Sequence, residues 1–490
     1  MATPDILKLP PELVLRVSSL LTTTDLCAFR ASCKQIEAGL FDSFAKEFFS
    51  KRQFMIEQVS LEVLVGIANH KTIAPYLKEV IICLDYLGPS HGFNGRQKIK
   101  GHVKRGALIA TGQARDMLVD AFSNLPNLRT VGLRDYNAAG RLRDGENVLW
   151  RSYGWSTGMS VNARLNVLRE GRHRRIETET PDEALPLILF ALGQAECRPT
   201  NLEVFLRRQR LPDDAFNVFT AQMQPKIEPL LPVLKTLLLS LNDRPGFGAG
   251  PTPTNPHADS HEHLKQFLRR TPLLEHLRLN FLSDESDADD IISWLGEPNY
   301  PSAPTPTPGS TQFSHLTTLD LGMLNVQPQT LLHTVKQLRL TSLSLWKVSL
   351  RDNTSPNTGD RGVSTWKDFL QELGDNIPRP LDFTYFKIGF PSHVQGPNNG
   401  TLTDIRFAGN TTTDQNGVTK YEDLQSQVSY RKYFGSDVRT WLRDLKQGTY
   451  VEPVEPHSDS DHIDDDEDNS DNESGIEEIL LEDDEDNDGE

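Results

Sequence analysis

Apolar residues between positions 6 and 36 recur at the spacing of two short helices. Pro11 suits the first turn of a helix, where its missing N–H costs nothing. One stripe of the first helix carries, at intervals of three or four residues, Leu13, Val14, Val17, Leu20 and Leu21. Thr24 is the predicted N-cap of the second helix, and Asp25 suits its positive N-terminus. The stripe of that helix carries Leu26, Phe29, Cys33 and Ile36.

Two helices of about ten residues each are not stable alone in water. This N-terminal hairpin must therefore pack on the rest of the chain, on a partner, or on both. The helical pattern continues from Glu37 to Phe49, with the candidate core residues Leu40, Phe41, Phe44, Phe48 and Phe49. An ordinary helical hairpin at the edge of a domain is an alternative that the spacing alone leaves open.

A second pattern begins near residue 60, where L-x-x-L-x-L recurs with aliphatic or aromatic replacements. Copies begin at Leu77, Leu128, Leu234, Leu274, Leu316, Leu340 and Leu402, and residues 202–206 are an imperfect copy. The last two apolar positions of a copy lie on one face of a short strand. Helical stretches stand between copies, as at 259–270 and 329–337. This alternation predicts a solenoid in which parallel strands stack along one side.

The body resembles a leucine-rich repeat array that is irregular. Regular repeats run about 20–29 residues, whereas successive copies here, with the imperfect one counted, are 24 to 74 residues apart. The Asn expected after the last Leu stands only at Asn242 and Asn410, with Asp85 as a candidate substitute. A mixed α/β domain whose strands happen to begin with Leu is the alternative. Pro- and Gly-rich stretches at 243–258 and 296–311 predict flexible loops, and 437–446 predicts a closing amphipathic helix.

The residue order of the N-terminal hairpin resembles the F-box. That pattern is Leu-Pro-x-Glu-Leu, a helix ending in Leu/Tyr-Leu, a short gap, Asp-Leu, and Arg-x-x-Cys-Lys. Its positions are occupied by Leu9, Pro10, Glu12, Leu13, Leu20, Leu21, Asp25, Leu26, Arg30, Cys33 and Lys34. The family usually carries an aromatic residue, often Trp, just after the Cys-Lys pair, where this chain has Ile36.

The F-box resemblance implies a module that docks on the Skp-type adaptor of a cullin–RING ubiquitin ligase. By the same resemblance, the apolar contact with the adaptor would come from Leu9, Pro10, Leu13, Val17, Leu20 and Leu26. Burying a Leu or Val side chain is worth about 1.5–3 kcal/mol, so such a cluster can support an interface. Part of that burial must hold the helices to each other, which makes the sum an upper limit.

The acidity of the chain is concentrated in one segment. The net charge is −17, but residues 455–490 hold 19 acidic and no basic residues, so the rest of the chain carries +2. Their composition predicts a disordered acidic tail. The nearly neutral body offers no dominant basic field, which argues against nucleic acid as its main ligand.

Three features bear on the cellular compartment. The sequence has no run of 18 apolar residues, so no membrane span is predicted. The first five residues lack a basic region followed by an apolar core, so no signal peptide is expected. Because the cysteines at 27, 33, 83 and 197 include no C-x-x-C pair, they indicate small apolar fillers in a reducing compartment. We therefore expect a cytoplasmic or nuclear location.

Other clusters are weaker candidates for chemistry. His257, Asp259, His261 and His263 could bind zinc, but nothing orients them, and a solvated surface is favoured. A basic cluster at 169–175 indicates a charged helix face, with a nuclear import signal or an acidic partner as the alternative. The sequence has no convincing nucleophile–base pair, paired-carboxylate site or cofactor loop. No catalytic residue, metal or cofactor is therefore predicted.

The acidic tail contains one short apolar run, Ile479-Leu480-Leu481, followed by acidic residues. Such a run could add a strand to the sheet edge of a partner, as SUMO-interacting segments do. Nearby serines with an acid three residues on suit acid-directed kinases, and they are Ser458, Ser470 and Ser474.

The sequence thus predicts an α/β protein in three parts. These are a helical F-box at 5–50, an irregular leucine-rich-repeat-like solenoid at 60–450, and the disordered acidic tail at 455–490. The expected function is that of a non-catalytic substrate receptor of an SCF-type ubiquitin ligase, joined to a cullin through the Skp-type adaptor and holding an unknown protein target. The alternatives are an F-box scaffold without ubiquitin transfer and an acidic-tail chaperone of basic proteins. An enzyme is disfavoured, and neither nucleic acid nor membrane is an expected partner.

Overall fold

The computed structural model describes most of the chain up to Val451. The described residues are 6–84, 106–136, 142–145, 152–153, 181–207, 209–242, 261–281, 286–298, 312–352, 361–376, 383–395, 402–408, 410–413, 419–422 and 429–451. The predicted loop 243–258, most of the predicted loop 296–311, the basic cluster 169–175 and the acidic tail 455–490 lie outside these residues. The predictions for those segments stay predictions.

Residues 6–49 form a helical N-terminal unit. After a 3₁₀ turn at Ile6–Lys8, it contains α1 (Pro11–Ser19), α2 (Thr23–Ala31) and α3 (Lys34–Phe49). Pro11 begins α1 as predicted, but the prediction of Thr24 as the N-cap of α2 is wrong. The cap is Thr22, whose hydroxyl accepts a hydrogen bond from the backbone N–H of Asp25 and donates one to its carboxylate. These reciprocal bonds satisfy a free N–H group at the helix start, which apolar spacing does not reveal.

The N-terminal unit has a small core of its own. Leu26 of α2 packs with Ile36, Leu40 and Phe48 of α3, and each of these is at most 6% exposed. Partly buried side chains surround them, namely Val14, Leu21, Phe29, Cys33, Phe44 and Phe49. The short helices thus obtain part of their packing within the unit itself.

The chain continues directly from α3 into a large parallel sheet. Its first strands are β1 (Lys51–Met55), β2 (Glu79–Cys83), β3 (Thr130–Arg134), β4 (Asn201–Phe205), β5 (Thr236–Ser240), β6 (His276–Asn280), β7 (Thr318–Val326) and β8 (Ser342–Asp352). They lie in chain order, and each pairs in parallel with the next. Strand β1 precedes residue 60, where the repeat pattern first becomes visible in the sequence.

The register of this sheet explains the repeated motif. In the copies from Leu77 to Leu340, the fourth positions fall in one row across the sheet with Leu202 of the imperfect copy, and the row is formed by Val80, Val131, Leu202, Leu237, Leu277, Leu319 and Leu343. The sixth positions form the next row on the same face, because alternate residues of a strand share a face. Both rows are buried. The structure therefore confirms a solenoid-like α/β sheet, and the assignment of its units as leucine-rich repeats stays a prediction.

Helices cover the buried face of the sheet. They are α4 (Gln58–Ala68), α5 (Gln113–Ser123), α6 (Pro181–Gln194), α7 (Gln224–Ile227), α8 (Glu262–Leu268), α9 (Asp289–Leu295), α10 (Pro328–Gln337), α11 (Arg361–Asn376) and α12 (Val438–Gln447). Helices α8, α10 and α12 coincide with predicted helical stretches. Helices and strands share one continuous core from Phe54 to Leu445. Within the described ranges, every helix is too short or too polar to cross a membrane.

The C-terminal end departs from the parallel array. It contains β9 (Tyr385–Gly389), β10 (Ser392–Gln395), β11 (Leu402–Phe407), β12 (Asn410–Thr413), β13 (Thr419–Glu422), β14 (Tyr430–Phe434) and β15 (Thr449–Val451). Strands β9 and β10 pair in parallel with successive halves of β8. Strand β9 also pairs with β14, β11 with both β10 and β15, and β12 with β13, all antiparallel.

The motif copy at Leu402 is therefore not a further parallel repeat, as the sequence pattern had predicted. Strand β11 runs antiparallel to β10. Only residues 396–401 connect the two strands, whereas a parallel crossover needs about a dozen residues or more. Connection length, which the motif ignores, decides the strand direction here.

Candidate functional site

The N-terminal unit exposes a group of large apolar side chains. Within described residues 6–20, seven such side chains are 38–78% exposed: Ile6, Leu7, Leu9, Leu13, Leu15, Val17 and Leu20. Pro10 is exposed as well. We use the name outer apolar face for Leu9, Pro10, Leu13, Val17 and Leu20.

Helix α1 divides its apolar residues between two sides. Val14 and Leu21 pack on the small core of the unit, and Ser18 between them is buried, with its hydroxyl donating to the Leu15 carbonyl. Leu13, Val17 and Leu20 follow about one helical turn apart on another side and remain in solvent. The single stripe predicted from spacing is therefore divided into two surfaces. One packs on the core of the N-terminal unit, and the other is exposed to solvent.

The structure places five of the six predicted contact residues on the outer apolar face. The sixth, Leu26, is only 3% exposed and belongs to the core of the N-terminal unit. The predicted contact role of Leu26 is corrected accordingly, because a side chain buried among α3 residues has almost no surface left for a partner to contact. Leu26 instead holds α2 against α3.

A second candidate surface lies on the face of the sheet opposite the helices. Alternate strand positions there carry arginines and aromatic rings. The guanidinium carbons of Arg134 and Arg278 lie 5.4 and 5.8 Å from the centroid of the Phe205 ring, within the range of cation–π attraction. We use the name polar sheet face for this side of the sheet. The L-x-x-L-x-L motif specifies only the buried positions, although the same period of two identifies the intervening positions on this face.

Acidic partners hold both arginines in place. Arg134 lies 4.0 Å from the Glu203 carboxylate, and Arg278 lies 3.1 Å from that of Asp320. His276 is 2.8 Å from the same Asp320 oxygen. Burial alone would raise the pKa of Asp320, but Arg278 and His276 together outweigh it and lower that pKa to about 2. Asp320 is therefore a stable anion at neutral pH.

The polar sheet face also carries an aromatic cluster where neighbouring strands kink. Met323, Lys347 and Phe390 have left-handed φ angles of 53°, 51° and 49°, which are uncommon outside glycine. At the kink in β8, Trp346 and Lys347 are both partly exposed, while the flanking residues on either side are buried. Two successive side chains thus leave the core together, while the one-to-one register of β8 with β7 continues past this point.

Trp346 is the centre of this cluster. Its ring lies 4.9 Å from the Phe390 ring and 5.9 Å from the Tyr430 ring, measured between centroids. The indole also covers Gly389, where a Cβ atom would come within 2.2 Å of it. Glycine at this position is therefore required for the indole to lie flat on the sheet. Together these rings give the polar sheet face a surface suited to binding a protein segment.

The predicted histidine cluster divides between structural roles. His257 and Asp259 lie outside the described residues. The carboxylate of Asp213 lies 3.0 Å from Nδ1 of His263 and accepts the backbone N–H groups of His263 and Leu264. Asp213 thus satisfies free backbone N–H groups in the first turn of α8, and His263 pairs with the same carboxylate.

His261 lies just before α8 and is 5% exposed, with its ring edge-on to Phe281. Burial lowers its pKa, against the opposing effect of two nearby carboxylates. Among the described residues, no group of three or more His, Cys, Asp or Glu side chains could hold a metal ion. The four cysteines are free thiols, and burial raises the pKa of Cys197 to about 11.

Comparisons with known proteins identify the N-terminal unit. Residues 6–38 match the F-box domain family. The chain therefore carries an F-box domain, and the resemblance seen in the residue order is confirmed. No curated protein matches the chain.

One similar solved structure is the crystal structure of the Rad7 and Elc1 complex in yeast. The match has 12% sequence identity and a TM-score of 0.27. It covers 74% of this chain and 66% of that chain, which is just under two thirds of its length. A likeness with so low a TM-score defines neither the fold nor the function of this protein.

Proposed function

We propose that this protein is a non-catalytic substrate receptor of an SCF-type cullin–RING ubiquitin ligase. Its F-box would bind a Skp-type adaptor, and through it a cullin, while the sheet body binds a protein target. One observation carries the proposal. The exposed side chains of Leu13, Val17 and Leu20 lie within the segment that matches the F-box domain.

The outer apolar face suits an adaptor contact on physical grounds. Monomeric proteins rarely expose large apolar patches, and those that exist often mark interaction sites. Leu20 is 78% exposed and Leu13 is 50% exposed, so a partner would remove much of their surface from water. At about 25 cal/mol per Å² of buried apolar surface, a few such residues supply a substantial part of a binding free energy.

The polar sheet face is the proposed docking surface for the target. It offers rings and cations in fixed positions, notably Phe205 between two arginines and Trp346 beside Phe390. Ubiquitin transfer would then follow from proximity, because tethering raises the effective concentration of target lysines near the charged ubiquitin carrier. Such a receptor needs no catalytic residue of its own. We propose a cytoplasmic or nuclear location for it.

The proposal is tested with the full chain and a purified Skp-type adaptor. Leu13→Asp puts a charge into the outer apolar face and is expected to abolish co-purification with the adaptor. Leu15→Asp is the matched control, because Leu15 is an exposed leucine of the same helix roughly 200° away from Leu13 at 100° per residue. Adaptor binding by the Leu13→Asp variant at the wild-type level would overturn the proposal.

Analysis of the proteins that co-purify, with a further variant lacking residues 455–490, separates the alternative functions. A complex that contains the adaptor but no cullin would indicate an F-box scaffold without ubiquitin transfer. Binding of basic proteins that is lost on deletion of residues 455–490, yet insensitive to Leu13→Asp, would indicate an acidic-tail chaperone. Recovery of the cullin and ubiquitination of a bound target would support the proposed receptor.

A further inference from the structure

A short segment far along the chain reaches back to the N-terminal unit. It is the 3₁₀ turn Leu142–Asp144, within the connection between β3 and β4. Arg143 donates from its Nε and one terminal nitrogen to the two carboxylate oxygens of Glu47 in α3, at 2.5 Å each. Its other terminal nitrogen donates to the carbonyl oxygens of Ser18 and Leu21, at 3.1 and 2.7 Å.

The next residue holds the second helix of the hairpin. The Asp144 carboxylate accepts a hydrogen bond from the backbone N–H of Thr23 at 2.9 Å and another from its hydroxyl at 2.5 Å. Thr23 is the first residue of α2. Two successive residues, about 120 positions away in sequence, thus contact both sides of the turn between α1 and α2.

The charges of this pair match the helix ends that they contact. The C-terminus of a helix leaves carbonyl groups free and carries partial negative charge, which a guanidinium satisfies. The N-terminus leaves N–H groups free and carries partial positive charge, which a carboxylate satisfies. Arg143 lies at the end of α1 and Asp144 at the start of α2. Reversing the order of these two residues would place each charge at the wrong helix end.

Arg143 is well shielded from water, whereas its partner Glu47 is 31% exposed. The Arg143 side chain is 10% exposed, and its guanidinium carbon lies 5.8 Å from the centroid of the Phe48 ring, which belongs to the small core. Hydrogen bonds to charged groups are stronger than neutral ones, and the bidentate pairing of arginine with a carboxylate restricts geometry. This arrangement therefore restricts the geometry of the turn in addition to apolar packing.

We propose that Leu142–Asp144 is a clasp that fixes α1, α2 and α3 relative to one another and so positions the outer apolar face. Leu20 lies in the turn that the clasp holds, and Leu13 and Val17 lie on the helix whose end it caps. Arg143 and Asp144 are positioning residues, which act on the adaptor contact through these helices. The consequence for adaptor binding rests on the proposed function, whereas the clasp itself does not.

The clasp implies that adaptor binding and the β3–β4 connection are coupled. When a contact favours the binding-competent arrangement, its loss lowers the apparent affinity in proportion to the fraction of molecules that remain in that arrangement. Such coupling is reciprocal, so a bound adaptor should also protect the clasp from opening.

The first measurement is hydrogen exchange in the full chain without adaptor. In the double variant Arg143→Ala/Asp144→Ala, amide exchange is expected to accelerate in peptides covering residues 11–31. Peptides covering β5 to β8, residues 236–352, should exchange as in the wild type. The control Arg115→Ala removes an exposed arginine of α5 that pairs with its neighbour Asp116, and it should change neither region.

The second measurement is adaptor affinity, by titration of the same full-length variants with the purified adaptor. The double variant is expected to bind about tenfold more weakly, equivalent to about 1.4 kcal/mol. Arg143→Lys should give an intermediate value, because lysine keeps the charge near the carbonyls but loses the two-pronged contact with Glu47. Equal losses for Arg143→Lys and the double variant, together with accelerated exchange in β5 to β8, would indicate general unfolding and overturn the positioning role.

The two measurements distinguish the clasp from the proposed function. Unchanged exchange over residues 11–31 in the double variant would overturn the clasp, whatever the adaptor does. Accelerated exchange with unchanged adaptor affinity would overturn its role in positioning the outer apolar face. A wild-type chain that does not bind the adaptor would overturn the proposed function, and exchange would still decide whether the clasp exists.

Discussion

The N-terminal unit and the sheet body differ in how much of their apolar side-chain surface they leave exposed. Of the exposed large apolar side chains in the described part of the chain, seven lie between residues 6 and 20, and five are spread between residues 59 and 434. The body instead buries its repeated leucines in one continuous core. The body is thus largely complete by itself, while the first helix keeps an apolar side that its own fold leaves open.

This difference also concerns how each region is stabilised. The core of the N-terminal unit centres on four buried residues, so each carries a large share of its packing. The body repeats the same packing from strand to strand, as solenoids do, so its stability sums over many similar contacts. We expect the N-terminal unit to respond locally to substitution and the body to respond as a whole.

The largest expected effect lies in the body. Trp366 is fully buried, and its indole N–H donates to the Ser392 carbonyl at 2.6 Å. Trp366→Ala should lower the free energy of unfolding by about 3–5 kcal/mol, because it leaves a large cavity and removes the indole hydrogen bond to the Ser392 carbonyl. Urea unfolding monitored by circular dichroism measures this. Phe434→Ala, at a side chain that is 84% exposed, is the control and should change stability little.

The next effect tests the N-terminal unit alone. Leu26→Ala should destabilise this unit by about 2 kcal/mol, near the lower limit for a buried leucine, because a small core can partly collapse. Hydrogen exchange should therefore accelerate in residues 11–49 but not in the sheet. Leu13→Ala, on the exposed side of α1, should leave exchange unchanged. Accelerated exchange throughout the sheet after Leu26→Ala would contradict the separation of the two regions.

A smaller effect depends on pH and concerns the polar sheet face. Asp320 has a pKa of about 2 in the folded protein, below its ordinary value of 3.8. Its ionised form therefore stabilises the fold above about pH 4, and this contribution is lost as the pH falls from 3.8 towards 2. Asp320→Asn should cost about 1.5 kcal/mol at pH 6, the lower limit for hydrogen bonds to charged groups.

The pH dependence supplies the control for that experiment. The difference in stability between wild type and Asp320→Asn should narrow between pH 4 and pH 2, as followed by urea midpoints. Asp404→Asn alters a carboxylate that is 59% exposed and 3.9 Å from Arg406, and it should show little difference at any pH. A stability difference between wild type and Asp320→Asn that stays constant from pH 4 to pH 2 would contradict the assigned ion pairs.

The smallest effect concerns the cap of α2. Thr22→Ala removes the side-chain acceptor for the N–H of Asp25 and should destabilise the N-terminal unit by about 1 kcal/mol. Thr24→Ala, at the position that the sequence had suggested as the cap, should cost less than half as much. Thermal unfolding of the two variants, compared at equal protein concentration, decides which threonine caps the helix.

The sequence predicted much of the body because its information is periodic. The row of Val80, Leu202 and Leu343 across the sheet follows from a motif whose apolar positions are two residues apart. The antiparallel direction of Leu402–Phe407 did not follow, since a short motif contains no information on the length or path of its connection. Strand β1 was not predicted because its first three residues, Lys51, Arg52 and Gln53, are polar and give no alternating apolar pattern.

The candidate site was predicted in part for a similar reason. Spacing placed Leu13, Val14, Val17 and Leu20 on one stripe, but it could not say which of them the protein itself would cover. That depends on where α3 lies, and α3 covers Val14 and Leu26 while leaving Leu13 in solvent. The burial of Leu26 was not predicted, because the F-box resemblance identifies a residue by its position in the motif and does not say which side of the helix faces the core.

The sequence by itself determined the local elements and their order. Helix starts, apolar rows and the F-box residue order depend on neighbours within a few positions, where backbone geometry translates spacing into faces. Only the tertiary structure decided which apolar side stays open and which distant residues hold it. Arg143 and Asp144 meet the ends of α1 and α2 across about 120 residues, and no local pattern can report a contact that forms only when the sheet brings the two segments together.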